Sequence, residues 1–383
     1  MGTGPGSSGT LREIADRLEP PPRAVDWSLF AFVTAEVLTG LVSFTVGVPE
    51  GWPLFWLHRA LGFGIVALLA WKLARVRRRL TDPGLWRRST ALSVLTLVAA
   101  LGALSTGIVW VVGLDVRISY WTLLSVHVGF GLALLPLVGA HAATRFRLPR
   151  RVDFERRRTA VRYTVLLAAG AATYRLQQGV NDLLDTTGAD RRFTGSQPRE
   201  GEGNGGFPIT SWVADDPGPI DRGDYRLRVD GLVADPVELT ADDLDAGHET
   251  AALLDCTSGW YTVQEWGGIR VGDLLAAAGG PEATGADGGT PDADGGASDR
   301  GPAYVRFTSV TGYRWSLPID EARDALLATH VGGERLSHGH GAPARLVAPD
   351  RRGFQWVKWV TRVEVRAEYD LGQWVVTLVS GFD

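Results

Sequence analysis

The chain has 383 residues, of which 45% are hydrophobic and 21% charged, and its formal net charge is −4. That charge is unevenly distributed: residues 1–184 contain 21 basic and 11 acidic residues, whereas the remainder contains 18 and 32. The single cysteine, Cys256, excludes an internal disulfide framework and any Cys-x-x-Cys zinc or redox pair. The length allows two or three domains, and the small net charge conceals a basic half joined to an acidic half.

Four long apolar segments dominate the first half of the sequence. They are 27–48, 53–74, 90–114 and 120–143. Each is long enough to cross a bilayer core, which takes about 20 apolar residues. We therefore predict an all-α four-helix transmembrane bundle at 27–148, preceded by a tail at 1–26.

Arginine-rich segments set the predicted orientation of this bundle. They lie at 75–88, between spans two and three, and at 145–158, after span four. Because basic loops stay in the cytoplasm, both loops and the amino terminus are predicted to be cytoplasmic. The chain is thus predicted to be a multi-pass protein of the cell membrane.

A further short helix is predicted after the bundle. Segment 155–177 follows an arginine cluster and resembles a twin-arginine export signal placed inside the chain. It lacks the usual large apolar residue after the arginines, and an ordinary fifth span is the alternative. Both alternatives carry the rest of the chain outside. We assign 149–180 to this basic segment and helix, and 181–207 to a Gly-rich linker.

Two histidines within the spans suggest a haem, since ionisable groups in spans are functional candidates. His58 and His127 lie at similar depths from the outer ends of spans two and four. Small residues that would make room for the ring are Gly62, Gly64, Gly129 and Gly131. This pattern predicts bis-histidine ligation of one b-type haem. Histidines that merely hydrogen-bond between the helices of an anchor are the alternative.

His141 and Glu36 are two further candidates among the ionisable residues of the spans. His141 follows His127 by about four helical turns and shares its helix face. Span two has no matching inner histidine, so two haems are not expected. Glu36, near the middle of span one, is a candidate proton relay to a quinone, or alternatively a buried hydrogen-bonded carboxylate.

The pattern changes after residue 224 to short β-rich segments separated by short helix candidates. One helix candidate, LTADDLDAG, begins at a Thr N-cap followed by acidic residues. This predicts a mixed α+β, strand-rich domain at 208–383. Within it, 279–302 is an acidic low-complexity insertion and is predicted to be a solvated surface loop.

Four sequence blocks in this half resemble the oxidoreductase molybdopterin-binding family. In order, they are VDGLV…LTADDL, LLDCTSGWYTVQEWGGIRVGDLL, GYRWSLPIDEA and GHGAPARLVAPDRRGFQWVKWVTRVEV. The resemblance covers roughly residues 205 to 370. It implies the sulfite oxidase fold, a Mo-molybdopterin cofactor and oxidoreductase activity. The first half resembles, more loosely, the cytochrome b-type anchors that accompany such enzymes.

The resemblance gives Cys256 a role that its residue type leaves open. A lone cysteine can be a buried small hydrophobe, a reactive thiol or a metal ligand. In this family one cysteine thiolate binds molybdenum beside the dithiolene of a pyranopterin, and Cys256 occupies that position. A soft thiolate suits such a centre.

Other cofactor contacts follow from the same resemblance. The predicted cofactor-binding residues are Thr210, Ser211, Ser309, His340, Arg345, Trp356, Val357 and Lys358. The fork of Arg345 and the point charge of Lys358, one of two lysines in the chain, both suit phosphate. A surface ion pair is the alternative for these two. If the alignment of the motif shifts by one residue, the hydroxyl position falls on Thr308 rather than on Ser309. His338 matches nothing specific.

Departures from the family bear on the substrate. Sulfite oxidases and nitrate reductases follow their cysteine with a Gly-Asn-Arg-Arg type segment, whereas Thr257, Ser258, Gly259 and Trp260 stand here. No arginine cluster for sulfite or nitrate follows Cys256, and there is no sign of a carboxy-terminal immunoglobulin-like dimerisation domain. The resemblance is therefore nearest the periplasmic protein-methionine-sulfoxide reductase type, and a sulfoxide-like substrate is favoured.

Together these features predict a membrane-anchored molybdenum oxidoreductase with an extracytoplasmic catalytic domain. Its expected partners are a small-molecule substrate and the quinone pool or another electron-transfer protein, with no nucleic acid. The alternative is a non-catalytic, membrane-anchored protein that binds a cofactor or partner. A transporter is poorly supported, because the spans include no pair of broken helices.

Overall fold

The computed structural model describes residues 20–114, 116–118, 121–145, 148, 157–211, 215–281 and 301–380. The chain folds into two compact units, the first Met1–Gln197 and the second Pro198–Asp383. Most of the predicted tail at 1–26, the start of the basic segment at 149–180 and most of the insertion at 279–302 lie outside the described residues.

Five α-helices form the described part of the first unit. They are α1 (Pro22–Ser43), α2 (Trp52–Thr81), α3 (Arg88–Val112), α4 (Leu123–Arg145) and α5 (Arg157–Leu183). A short antiparallel ribbon of β1 (Arg117–Ile118) and β2 (Trp121–Thr122) precedes α4.

The prediction of four long apolar helices is confirmed, because α1 to α4 are each long and apolar enough to cross a membrane. Only 11% to 33% of their most apolar windows is buried within the protein. An apolar exterior of this kind suits a bundle that faces lipid. Crossing of the membrane and the orientation of the bundle stay predictions.

The helix boundaries differ from those predicted, most of all at the end of α2 and at both ends of the first helix, which ends at Ser43 rather than near residue 48. The first helix begins at Pro22 rather than near residue 27, since proline suits the first turn, where its missing N–H is not needed. Helix α2 continues through the arginines after residue 74 and ends at Thr81, so much of the predicted basic loop is helical.

Helix α5 is longer and more polar than the predicted short span. It has 27 residues and includes the charged side chains of Arg162, Arg175 and Asp182. Among the described helices it is not one of the four that are apolar enough to span a membrane. Its role as an export signal or a fifth span stays a prediction.

The second unit is built from strands and a few short helices. Its strands are β3 (Gln197–Pro198, beginning at the unit boundary), β4 (Arg226–Gly231), β5 (Val237–Thr240), β6 (His248–Cys256), β7 (Trp260–Arg270), β8 (Tyr304–Ser309), β9 (Arg314–Pro318), β10 (Leu326–Val331), β11 (Glu334–Arg335), β12 (Arg345–Val347) and β13 (Val360–Arg366). Its α-helices, within the described ranges, are α6 (Val271–Ala277), α7 (Ile319–Asp324) and α8 (Gln373–Val379).

The strands form two sheets. In one, the order is β11-β10-β7-β3, with β12 also paired to β10 and β6 to β7. In the other, the order is β5-β4-β13-β8-β9, with β13 and β4 parallel. Side chains alternate between buried and partly exposed along β8, where Val305 and Phe307 enter the core. The predicted mixed α+β, strand-rich domain is confirmed.

Candidate active site

Cys256 ends strand β6 and is buried, with 7% of its surface exposed. Its Sγ lies 3.1 Å from the hydroxyl oxygen of Ser258. The following turn closes with the N–H of Gly259 donating to the Cys256 carbonyl at 3.0 Å, and the positive φ of 100° at Gly259 favours glycine. A Cβ on Gly353 would lie 3.0 Å from the Cys256 Cα, so glycine there lets the loop after β12 approach the cysteine.

A buried ion pair lies next to the cysteine. Arg352 Nη1 is 3.3 Å from Asp255 Oδ2, and the two side chains are 4% and 2% exposed. Arg352 Nη2 also donates to the carbonyl of Cys256 at 3.4 Å. The pair fixes the backbone at the cysteine, since both charges are buried and each compensates the other. Sequence reasoning missed it, because the partners are 97 residues apart.

Arg345, the first residue of β12, is a buried cation. Within the described part of the chain, no carboxylate lies within salt-bridge distance of it. Its Nη1 donates to the carbonyl of His340 at 3.0 Å. The guanidinium carbon lies 5.1 Å and 5.8 Å from the ring centroids of Trp266 and Trp356.

The unused hydrogen-bonding capacity of Arg345 points to a missing ligand. Its buried Nε has no partner among the described residues. Burial lowers the pKa of Arg345 to about 10, and Cys256 partly opposes that effect. A buried guanidinium with a spare donor suits an anionic oxygen.

Lys358 connects the start of the second unit to the loop after β11. Its Nζ donates to the carbonyls of Thr210 at 2.7 Å and Gly339 at 2.6 Å. It also lies 3.1 Å from the hydroxyl oxygen of Ser211. The structure therefore brings together three of the predicted cofactor residues, Thr210, Ser211 and Lys358.

The ammonium group of Lys358 loses its proton more readily than that of an exposed lysine. Burial lowers its pKa to about 7, and the positive charge of Arg345 acts in the same direction. Cys256 opposes this shift. Both cations respond to Cys256, so the cysteine, Arg345 and Lys358 occupy one electrostatic neighbourhood.

The imidazole ring of His340 is neutral, and the backbone carbonyl of this residue accepts a hydrogen bond from Arg345. Its Nε2 lies 3.2 Å from the carbonyl of Phe207 and its Nδ1 2.8 Å from the hydroxyl of Ser337. Because a carbonyl only accepts, Nε2 carries the hydrogen and the Ser337 hydroxyl donates to Nδ1. Burial lowers the pKa of His340 to about 4, with a further contribution from Arg345. His340 therefore acts on its neighbour through its carbonyl oxygen.

The hydroxyl candidates Ser309 and Thr308 lie on opposite faces of β8. Ser309 is buried on the face of Phe307, and its Oγ accepts from the N–H and hydroxyl of Thr311 at 3.3 Å and 3.1 Å. The Thr308 hydroxyl oxygen is buried with no partner among the described residues. The two positions are thus not interchangeable.

Trp356 and Val357 belong to the hydrophobic core next to Arg345 and Lys358. The indole N–H of Trp356 donates to the carbonyl of Arg351 at 3.2 Å. The carbonyl of Val357 accepts from the N–H of Leu346 at 2.8 Å. His338, which matched nothing specific, lies 2.8 Å through its Nε2 from the carbonyl of Pro217.

Asp215 is a further buried group that the sequence did not single out. Burial raises its pKa, while a hydrogen bond to Thr311 and the charge of Lys358 oppose the shift. Its Oδ1 has no partner within the described ranges. Nothing in the motif ADDPGP marks this carboxylate as buried.

These residues fit a molybdopterin cofactor. A buried thiol supplies a soft metal ligand, and Arg345 and Lys358 supply positive charge without a carboxylate in salt-bridge contact among the described residues. The spare Nε of Arg345 gives a direct place for an anionic group. Cys256 would hold the metal, and the two cations would hold phosphate.

In the first unit, the histidines predicted to bind haem come together. The ring centroids of His58 and His127 are 6.1 Å apart, with an angle of 81° between the ring planes. His58 Nδ1 lies 2.7 Å from Glu36 Oε2, and His127 Nδ1 lies 2.8 Å from the carbonyl of Ala103. Because both of these oxygens accept, each Nδ1 carries the hydrogen and each Nε2 keeps its lone pair.

The donor set of this histidine pair also fits a metal. An iron held by two imidazole nitrogens at roughly 2 Å each keeps the ring centroids about 6 Å apart. Among the described residues neither His58 nor His127 uses its Nε2 in a hydrogen bond. His141 is elsewhere on α4, with its Nδ1 3.4 Å from the hydroxyl of Ser93.

Most of the second unit matches a known protein family. Residues 214–374 match the model of the oxidoreductase molybdopterin binding domain. This part of the second unit is therefore similar to molybdopterin-binding oxidoreductase domains, in agreement with the resemblance seen in the sequence.

Individual relatives span several activities. The uncharacterized oxidoreductase YuiH of Bacillus subtilis (strain 168) is 29% identical over 44% of this chain and 78% of that protein. The protein-methionine-sulfoxide reductase catalytic subunit MsrP of Gluconobacter oxydans (strain 621H) is 31% identical over 37% of this chain and 46% of that protein. The sulfite oxidase of Arabidopsis thaliana is 26% identical over 39% and 43%. The chain thus spans less than half the length of the latter two.

Proposed function

We propose that this protein is a membrane-anchored molybdenum-pterin oxidoreductase that transfers an oxygen atom or two electrons to or from a small, sulfoxide-like substrate. Its catalytic domain lies on the outer face of the cell membrane. The observation that carries this proposal is the buried thiol of Cys256 in one neighbourhood with two cations, Arg345 and Lys358, that have no carboxylate within salt-bridge distance among the described residues.

The residues of the chain bind and orient the cofactor. When bound, molybdenum supplies two-electron redox chemistry, which the protein tunes by position and charge. The Arg352–Asp255 pair holds the backbone of Cys256 at the end of β6, because Arg352 also donates to the Cys256 carbonyl. Arg345 is oriented by the His340 carbonyl, and Lys358 by the oxygens around its Nζ. Arg345 therefore keeps a spare N–H for phosphate, whereas Lys358, whose Nζ already donates three hydrogen bonds, would contribute its positive charge.

The charge around Cys256 supports an uncharged substrate. Ser258 lies 3.1 Å from the sulfur. The nearby Arg352 is committed to Asp255 and to a backbone carbonyl. Since its charge is already compensated by Asp255, it is a weaker site for sulfite or nitrate than an arginine without a carboxylate in salt-bridge contact. A sulfoxide oxygen needs only a hydrogen-bond donor, which a hydroxyl such as that of Ser258 provides.

The first unit would connect this chemistry to the membrane. We propose that His58 and His127 bind one haem b, through which electrons pass between the molybdenum site and the quinone pool or another electron-transfer protein. The uncommitted Nε2 atoms and the 6.1 Å between ring centroids support this assignment. Glu36, which hydrogen-bonds His58, would then orient a haem ligand rather than act alone as a proton relay.

The decisive test is metal analysis of the purified full-length protein beside Cys256→Ala and Cys256→Ser. We expect about one molybdenum per chain in the wild type and its loss in the alanine variant. The same samples are then mixed under reducing conditions with sulfoxides, N-oxides, nitrate and, in the oxidising direction, sulfite. Reoxidation by sulfoxides is the expected outcome.

Two results would overturn the proposal. Folded wild type without molybdenum, from a host that makes the cofactor, would favour a binding protein without turnover. Turnover of sulfite or nitrate but not of sulfoxides would refute the substrate class. A Soret band lost in both His58→Ala and His127→Ala, but not in His141→Ala, tests the haem separately.

A further inference from the structure

A pair of arginines in the first unit has no acidic partner among the described residues. Arg59 follows His58 in α2, and Arg191 lies in the segment after α5. This segment is held against the helices: the indole N–H of Trp110 donates to the carbonyl of Gly195 at 3.0 Å, and the rings of Phe55 and Phe193 are 5.3 Å apart. The two arginines are therefore brought together by tertiary packing.

Both guanidinium groups contact only neutral acceptors. Arg59 donates to the hydroxyl of Tyr174 at 2.6 Å and to the carbonyl of Phe193 at 2.9 Å. Arg191 donates to the carbonyls of Trp110 at 3.1 Å and Gly188 at 3.0 Å. Across the described ranges, no carboxylate lies within salt-bridge distance of either arginine.

The two positive charges also repel each other. Burial lowers the pKa of Arg191 to about 10, and the charge of Arg59 acts in the same direction. Both side chains are only partly buried, but like charges brought together in such a site are unfavourable unless an anion compensates them. A ligand with anionic oxygens would supply that compensation, and guanidinium forks bind carboxylates and phosphates well.

The position of Arg59 indicates which anion this is. It immediately follows His58, whose ring pairs with that of His127. A haem bound by these rings would bring two propionate carboxylates, the kind of anion that a pair of guanidinium groups binds.

We propose that Arg59 and Arg191 form a carboxylate-binding site that holds a propionate of the haem. This inference rests on the haem proposed above. A phospholipid phosphate shares the same chemistry and is the competing source of the anion. The arginines would orient the haem and raise its midpoint potential, because positive charge near the ring favours the reduced form.

The test compares Arg59→Gln and Arg191→Gln with Arg59→Lys and Arg175→Gln in the purified full-length protein. Arg175 is an exposed arginine of α5 and serves as the matched control. Haem content and midpoint potential are measured for each. We expect each glutamine variant to shift the redox equilibrium about tenfold towards the oxidised form, roughly 59 mV for one electron. Arg59→Lys should retain most of the wild-type potential, and Arg175→Gln all of it.

A second arm identifies the anion. Wild type and Arg59→Gln are stripped and reconstituted with haem or with its dimethyl ester, which lacks the carboxylate charge. We expect the effect of the substitution on the potential to shrink at least several-fold with the ester. An equal shift with haem and ester would overturn the inference, as would a shift that occurs only when anionic phospholipid is added to neutral detergent.

The failure of each proposal is distinguishable. Wild type without a Soret band refutes the haem and, with it, the propionate site. Wild type with haem and unchanged potential in both glutamine variants leaves the haem in place and refutes only the propionate site.

Discussion

The two units each contain a pair of cations without a carboxylate in salt-bridge contact among the described residues, but they differ in how the pair is built. In the second unit, Arg345 and Lys358 lie 13 positions apart by their numbers and belong to motifs of the molybdopterin-binding domain. In the first unit, Arg59 and Arg191 come from distant segments. In both units a cation without a carboxylate in salt-bridge contact is the feature on which we base a proposed ligand site, and only in the second unit does a sequence motif mark it.

Arg352 provides the contrast, because its buried charge is compensated by Asp255. We expect Arg352→Ala to lower the free energy of unfolding of the second unit by about 3–5 kcal/mol, since the substitution removes a buried charge that pairs with the buried carboxylate of Asp255. Chemical denaturation of the full chain in detergent, followed by tryptophan fluorescence, measures this.

The matched control for that experiment is Arg323→Ala. Arg323 is 52% exposed and lies 3.9 Å from Asp320, so its loss should change stability by no more than about 0.5 kcal/mol. Equal effects of the two substitutions would remove the distinction between compensated and exposed cations.

Arg345→Met should behave in the opposite way to Arg352→Ala. We expect the stability of the cofactor-free protein to stay within about 1 kcal/mol, because the variant loses one hydrogen bond but also an uncompensated buried charge. Cofactor affinity should fall by about 10- to 100-fold, the worth of a charged hydrogen bond. Molybdenum content and denaturation of the apoprotein separate the two effects, and a large loss of apoprotein stability would contradict the prediction.

Lys358 should make cofactor binding depend on pH. Its pKa in the apoprotein is about 7, and phosphate binds the protonated ammonium. Affinity for the cofactor should therefore fall by up to about tenfold for each pH unit above 7. Lys358→Arg should abolish this dependence, because arginine stays charged.

The stability of the apoprotein should change in the other direction. The folded-state pKa of Lys358 lies below the ordinary lysine value of 10.5, so the unfolded state binds more protons between about pH 7 and 10. This group then contributes stability that increases as pH rises through that window. Parallel trends in binding and stability would show that Lys358 is not the group responsible.

The smallest effect is expected at the end of β8. Ser309→Ala removes an acceptor used by Thr311 and should cost about 1 kcal/mol. Thr308→Val is the control, since the Thr308 hydroxyl has no partner among the described residues and its loss should be neutral or stabilising. Comparison of thermal unfolding and molybdenum content checks which hydroxyl supports the site.

Features that depend on neighbouring residues in the sequence could be predicted, whereas features that depend on distant residues could not. The apolar helices were predictable because hydropathy is local, although the end of α2 was not, since arginines are good helix formers. Cys256 and Lys358 stood out as the only cysteine and one of two lysines. In the second unit, the strand-rich pattern also predicted the fold class.

Features that depend on distant partners were not predictable. The Arg352–Asp255 pair, the burial of Asp215 and the meeting of Arg59 with Arg191 each require the folded chain. No local pattern distinguishes a buried arginine from an exposed one in an arginine-rich sequence. Likewise, the choice between Ser309 and Thr308 depends on which face of β8 packs inward.

The indole rings of Trp266 and Trp356 lie 5.6 Å apart and both contact Arg345 from within the core. A pterin bound beside that arginine would lie close to two buried fluorophores and could accept their excitation energy. Emission from the second unit should therefore dim as the site fills. The domain would thus report its own loading optically, without a label and before any substrate is known.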